Sequence, residues 1–204
     1  MDGGLLTWAR AAAERPAAGR AAAAPGRQGL PALWLFTDAA RLADPRGAVA
    51  RLPRGRAGVV LRHDADPERM ALGRDLALLC RARRLVLVVA GDARLAAALG
   101  AGVHLRGGRK QGAVRYARGI VTSSAHGTAE LRRAWRAGAG LVFLSPAFPT
   151  ASHPGAPALG PARWAALARR VPVAVGALGG VTGATVRRLP RGWCRAVGAI
   201  GALG

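Results

Sequence analysis

Lysine is almost absent from this chain: of its 31 basic residues only Lys110 is a lysine, and the others are arginines. Acids are scarce too, ten against those 31, which leaves a formal charge of +21. A field of that size suits phosphorylated ligands and nucleic acid alike. The arginines, however, are scattered along the whole chain among alanine, glycine and proline, as a GC-rich coding bias would place them. Aromatics make up only 4% of residues and do not interleave with the arginines as base-stacking platforms do. Together these features argue against a dedicated nucleic-acid binder. Only two cysteines occur, Cys80 and Cys194, far apart and without metal-ligand spacing. That excludes a disulfide scaffold and fits buried thiols in a reduced cytoplasm. No apolar run approaches the roughly 20 residues that cross a bilayer. The first 30 residues lack the contiguous apolar segment and cleavage site of a secretory signal. The reading is a soluble cytoplasmic protein without a membrane partner, of a length that suits one domain.

What is present is a regular alternation. Residues 1–30 read as an Ala/Arg-rich extension, with one helical stretch over about 5–24, interrupted at Pro16, and a Pro/Gly-marked linker up to Pro31. From 31 to 204, short apolar or β-branched runs fall at 33–37, 58–62, 85–90, 102–105, 119–122, 141–144, 173–176 and 196–200. Helically spaced Ala/Leu/Arg segments lie between most of them, at 67–83, 93–99, 128–137 and 161–170. Eight strands alternating with helices predict an α/β fold, a single-domain (β/α)8 TIM barrel; an open doubly wound sheet shares the same alternation. No helix follows the eighth run in this sequence. The N-terminal helix is expected to cover the flank that such a helix would occupy.

In a barrel, chemistry gathers at the C-terminal ends of the strands. Those ends read Thr37-Asp38, Arg62-His63-Asp64, Gly91-Asp92, His104-Leu105-Arg106, Ser124-Ala125-His126, the loop from Ser145 to His153, Gly179-Gly180 and Ile200-Gly201. Gly179-Gly180 and Gly201, after the seventh and eighth runs, suit a phosphate cradle because small residues let backbone N–H groups approach the oxygens. Glycine also serves ordinary turns. Thr150 and Ser152 stand two apart, so in an extended loop both hydroxyls point the same way toward an anion; in a turn they cap their own backbone. His126 is a candidate general acid or base, or a cap for the helix that follows. His104 reads as inward-packed. His63, Asp64 and Asp66 resemble a small metal cluster that lacks a distant ligand.

Taken together, these strand ends resemble the thiamine-phosphate synthase and thiazole tautomerase superfamily of β/α barrels, over about residues 33–203. The stretch "SAHGTAELRRAWRAGAGLVFLSPAFPT" is similar to that family's Ser-x-His, helix and Gly-Pro-x-Phe-Pro-Thr run. "LWLFTD" resembles its first strand, and "PVAVGALGGVTGATVRRL" with "AVGAIGAL" resembles its closing Gly-Gly and final strand. The resemblance implies an enzyme of thiamine biosynthesis, a transferase that couples a thiazole phosphate to hydroxymethylpyrimidine pyrophosphate with Mg²⁺. It places the thiazole phosphate on Thr150, Ser152, Gly180, Ile200 and Gly201. The pyrimidine pyrophosphate falls on Arg62, Ser124 and His153, with Arg62 also catalytic.

The same resemblance shows departures on the pyrophosphate side. The Gln-x-Arg-x-Lys pattern after the second strand keeps only Arg62, and His153 stands in place of a lysine. Asp92 is left as the metal-ligand candidate, and Arg109 occupies the place of a second Mg²⁺ aspartate. Arg62, Arg106 and Arg109 are positioned in sequence to neutralise a pyrophosphate directly. The tautomerase branch, whose histidine falls on His126, needs neither Mg²⁺ nor those lysines. A thiazole tautomerase using His126 and a non-catalytic phosphate-ligand sensor are therefore the alternative readings.

Overall fold

Trp34 and Phe36 stand two apart in one apolar run, and Phe143 lies in another, so alternation across a strand sends all three rings to a single face. In the computed structural model, which describes residues 1–14, 30–64, 66–109, 119–150, 155 and 157–204, that face is the inside of a closed barrel. Eight parallel strands follow one another around it in sequence order. They are β1 (Leu33–Phe36), β2 (Ala57–Leu61), β3 (Val86–Ala90), β4 (Gly102–Leu105), β5 (Val121–Ala125), β6 (Leu141–Leu144), β7 (Ala174–Ala177) and β8 (Cys194–Ala199). β8 closes onto β1, with Leu33 opposite Val197 and Leu35 opposite Ala199.

The three rings meet edge to face: Trp34 and Phe143 centroids are 5.7 Å apart, Phe36 and Phe143 4.9 Å. Edge-to-face pairs of this kind add about 0.5–1.5 kcal/mol beyond their burial. They fit because facing positions carry no side chain. A Cβ on Gly176 would lie 2.9 Å from Phe143, and one on Gly198 would lie 2.6 Å from Phe36. The alternate positions, among them Leu33, Leu35, Val59, Val142 and Leu144, face outward into a second apolar layer under the helices.

That layer is closed by α1 (Gly3–Ala13), α2 (Arg46–Arg51), α3 (Arg69–Arg83), α4 (Ala93–Ala98), α5 (Thr128–Arg136) and α6 (Gly160–Ala168), with a short 3₁₀ turn over Thr185–Arg188 between β7 and β8. Asp2 caps α1 by accepting from the Gly4 and Leu5 N–H groups, and Leu5, Trp8, Ala9 and Ala12 bury one stripe of that helix. α1 packs on β8 and β1, the flank that the sequence assigned to it. The expected helix over 5–24 is thus Gly3–Ala13, and residues 15–29 lie outside the described residues.

Three elements differ from the sequence reading. β5 runs to Ala125 rather than stopping at Thr122. The buried Ser123 hydroxyl accepts from the Gly108 N–H (3.0 Å) and meets the Leu105 carbonyl at 3.1 Å, so a polar residue continues the strand without an unmet group. β8 begins two residues earlier, at Cys194. α2 carries only two buried residues, Ala48 and Val49, too few to produce a period.

Candidate functional site

At the C-terminal rim the inward positions Phe36, Ala90, His104, Ser124, Leu178 and Ile200 line a cavity of about 760 Å³. His104 is buried among rings, edge-on to Phe36 at 5.5 Å, and its Nδ1 lies 2.8 Å from the Thr122 hydroxyl. Burial, reinforced by the charges of Arg62 and Arg106, pushes its pKa down to about 3. The ring is therefore neutral around pH 7 and serves the cavity as a packed wall, as its place after Val103 suggested.

One wall, from the ends of β1, β2 and β4, is made of arginines held by aspartates. Asp38 accepts from Arg41 (3.0 Å) and from Arg62 (2.8 Å). The Arg41 hydrogen bond, with the charges of Arg41 and Arg62, holds the Asp38 carboxyl below its ordinary range despite partial burial. The Thr37 hydroxyl fixes the Arg62 backbone by accepting its N–H at 3.0 Å, and it also meets His63 Nδ1 at 3.0 Å. His63 Nε2 lies 3.3 Å from the Ala43 carbonyl. A carbonyl can only accept, so Nε2 carries a proton, and in the neutral ring Thr37 donates to Nδ1. Both nitrogens of His63 are occupied in holding loops, not in a metal cluster.

The carboxylates on this side are equally committed. Asp64 pairs with Arg106 and, at 3.1 Å, with Arg69. Arg69 also donates to the Ala90 carbonyl at 2.6 Å and lies 3.7 Å from Asp92. Asp92 caps α4 by accepting the Leu95 N–H at 2.9 Å, and it does not line the cavity. Mg²⁺ asks for near-octahedral oxygen ligands. Among the described residues no three His, Cys, Asp or Glu side chains come together as a metal cluster, and the acids here face guanidinium groups. With each of these rim carboxylates engaged by an arginine, the described residues do not offer the free carboxylate that Mg²⁺ takes beside water and substrate phosphates.

Between the walls stand Ser124 and His126, at the end of β5. His126 is exposed; its Nδ1 lies 3.0 Å from the Ser145 carbonyl, and its backbone N–H donates to Glu130 at 2.8 Å. The carbonyl fixes the tautomer: the proton sits on Nδ1, and in the neutral ring the basic lone pair is on Nε2.

The opposite wall comes from β6, β7 and β8. The Ala147 N–H donates to Leu178 (2.8 Å) and the Phe148 N–H to Gly179 (3.0 Å), which zips the β6 loop to the β7 loop. Gly180, with φ +63°, faces the Pro149 carbonyl so closely that a Cβ would overlap it. Its own carbonyl accepts from the Thr185 hydroxyl at 2.9 Å. The backbone N–H groups of Gly180, Val181 and Gly201 meet no acceptor among the described residues, and all three residues line the cavity with Thr150.

Arg62, Ser124, His126, Thr150, Gly180, Ile200 and Gly201 thus share one cavity. Asp92 stands apart from it, and Ser152 and His153 lie outside the described residues. The sequence reading missed Arg41 and the Ser145 carbonyl. Arg41 lies three residues beyond Asp38, a spacing that a short turn can close, but one arginine among so many carries no signal. A backbone acceptor carries none at all.

Residues 35–203 match the thiamine monophosphate synthase family. A thiamine-phosphate synthase from Thiobacillus denitrificans is 36% identical over 130 residues, an alignment covering 60% of this chain and 61% of that protein. The chain therefore spans less than two thirds of that relative's length. Among solved structures, a thiamine phosphate pyrophosphorylase from Pyrococcus furiosus superposes with a TM-score of 0.71 at 23% identity, over 86% of this chain and 88% of that one. Another, from Bacteroides thetaiotaomicron, gives 0.57 at 16% identity, over 85% and 84%. At those identities the two structures speak to the fold.

Proposed function

The chain belongs to the thiamine monophosphate synthase family, and from that premise we propose that its rim cavity joins a thiazole phosphate to hydroxymethylpyrimidine pyrophosphate, releasing thiamine phosphate and pyrophosphate. The single observation that carries the reading is the division of one cavity into an arginine wall and a glycine–hydroxyl wall, one for each phosphorylated partner. The family match names synthases, so the tautomerase and sensor alternatives are not carried further.

In this reading the thiazole phosphate sits against Thr150, Gly180, Val181, Ile200 and Gly201, where the backbone N–H groups of Gly180, Val181 and Gly201, which meet no acceptor among the described residues, are available to donate to its oxygens. The hydroxymethylpyrimidine lies over Ser124 and His126, with its pyrophosphate toward Arg41, Arg62 and Arg106. The thiazole nitrogen forms the new C–N bond to the pyrimidine methylene carbon while the C–O bond to pyrophosphate breaks, and the electron pair leaves with the pyrophosphate. No proton transfer is needed to form that bond. The chain's main task is to hold two anions in line and stabilise the charge on the leaving group, which guanidinium forks do well. Asp38 holds Arg41 and Arg62, and Asp64 holds Arg106, on that wall. A cytoplasmic setting fits the two buried free thiols.

Calorimetric titration of two variants separates the halves. Gly180→Ala places a methyl group against the Pro149 carbonyl at a positive φ. It is expected to weaken thiazole phosphate binding about tenfold or more and to leave pyrimidine pyrophosphate binding near wild type. Arg62→Met is expected to do the reverse. Equal effects of each variant on both ligands would contradict the assignment.

A further inference from the structure

The phosphate wall is held from behind by a residue that does not itself line the cavity. Asp2 precedes α1, and its carboxylate makes two kinds of bond. One oxygen caps the helix, accepting from Gly4 at 2.8 Å and Leu5 at 3.3 Å. The other accepts the N–H of Gly183 at 2.7 Å, in the loop that carries Gly179, Gly180 and Val181. The backbone N–H of Asp2 donates to the Ala202 carbonyl at 2.9 Å, one residue beyond Gly201. A single residue therefore ties the β7 loop to the segment after β8. The backbones meet closely enough that a Cβ on Gly4 would lie 2.7 Å from the Gly183 Cα. Within the loop, Thr185 completes the brace by donating to the Gly180 carbonyl while accepting the Thr182 N–H at 2.8 Å.

We propose that Asp2 is a positioning residue for phosphate binding, clamping the Gly180 loop and the Gly201 segment into one fixed cradle. Backbone N–H groups bind an anion well only when their directions are set beforehand, because a loose loop spends binding energy on its own ordering. The loop after β7 runs into a 3₁₀ turn and not a full helix, so the Asp2 bonds add an anchor from outside to those from the β6 loop and Thr185. The Gly183 N–H is also the largest influence drawing the Asp2 carboxyl below its ordinary value, so the clamp is fully ionised at neutral pH.

The inference rests on the phosphate reading of these loops, and the test keeps the two apart. Asp2→Ser retains a hydroxyl able to cap α1, but its one short oxygen cannot also reach Gly183; Asp2→Ala removes both bonds. Thiazole phosphate and hydroxymethylpyrimidine pyrophosphate are titrated into wild type and both variants. The expected result is a loss of about tenfold in thiazole phosphate affinity for both variants, with pyrimidine pyrophosphate affinity unchanged. Wild-type affinity for the thiazole phosphate in Asp2→Ser would overturn the clamp while leaving the phosphate site intact. Parallel losses for both ligands would overturn it too, by showing that Asp2 supports the whole barrel instead. No binding of thiazole phosphate to the wild type would overturn the phosphate reading and the clamp with it.

Discussion

His104 shows how a histidine can line a cavity and still be held neutral by its own burial. Burial pushes its pKa down to about 3 from an ordinary 6.5. Between those values the unfolded chain binds a proton that the folded chain refuses, so stability falls as pH drops below 6.5 toward 3. The slope approaches about 1.4 kcal/mol per pH unit for one such group. His104→Asn keeps a polar partner for Thr122 and cannot titrate. Urea unfolding between pH 6.5 and about 4.5 is expected to give a markedly flatter pH dependence for the variant, from a lower starting stability. Identical slopes would show that His104 is protonated in the folded state. The aspartates contribute below this window: Asp38 and Asp44 are held under 3.8 by arginine and backbone hydrogen bonds, so their stabilisation is lost only in stronger acid.

Among the elements, the strands are shaped by what is missing opposite the aromatic rings. Gly176→Val would force atoms into Phe143 and the Ala196 carbonyl, 2.9 and 3.1 Å from a Cβ at that position. The expected cost is about 1–3 kcal/mol in urea unfolding, with a changed near-ultraviolet signal. Gly192→Ala, with nothing within 4 Å of its Cβ, is the control and is expected to lie near zero. Equal effects of the two would contradict the packing account. The strand runs were legible in the sequence because parallel strands buried on both faces read as continuous apolar segments. That same continuity hid which residues face inward, so the pairing of Gly176 with Phe143 and Gly198 with Phe36 became visible only once the barrel closed. β5 was cut short because Ser123 and Ser124 do not look like strand, although their hydroxyls are satisfied from the neighbouring loop. The site was legible as a set of strand ends, since each end broke an apolar run with a polar or glycine residue. What Asp64 and Asp92 pair with was not, because Arg69 and Arg106 lie far from at least one partner in sequence and only α3 and the β4 rim bring them together.

Across the whole molecule, the arginine excess resolves into local pairs where it meets the site. Asp38 serves Arg41 and Arg62, and Asp64 serves Arg69 and Arg106, so the cavity is positive without being a cluster of bare charges. α1 packs in the outer layer against β8 and β1, and Asp2, just before it, reaches the loop that carries Gly179 and Gly180. The cavity's acids among the described residues are thus engaged by guanidinium groups, and in the proposed reaction those groups are the ones that would take the leaving pyrophosphate. The decisive measurement is thiamine phosphate formation from thiazole phosphate and hydroxymethylpyrimidine pyrophosphate, followed with excess EDTA and with added Mg²⁺. This account predicts product in both conditions, at rates within a fewfold of each other, and loss of product in Arg62→Met. Turnover only with Mg²⁺ would contradict the arginine-based leaving-group site, and absence of product in both conditions, with both ligands bound, would contradict the synthase function itself.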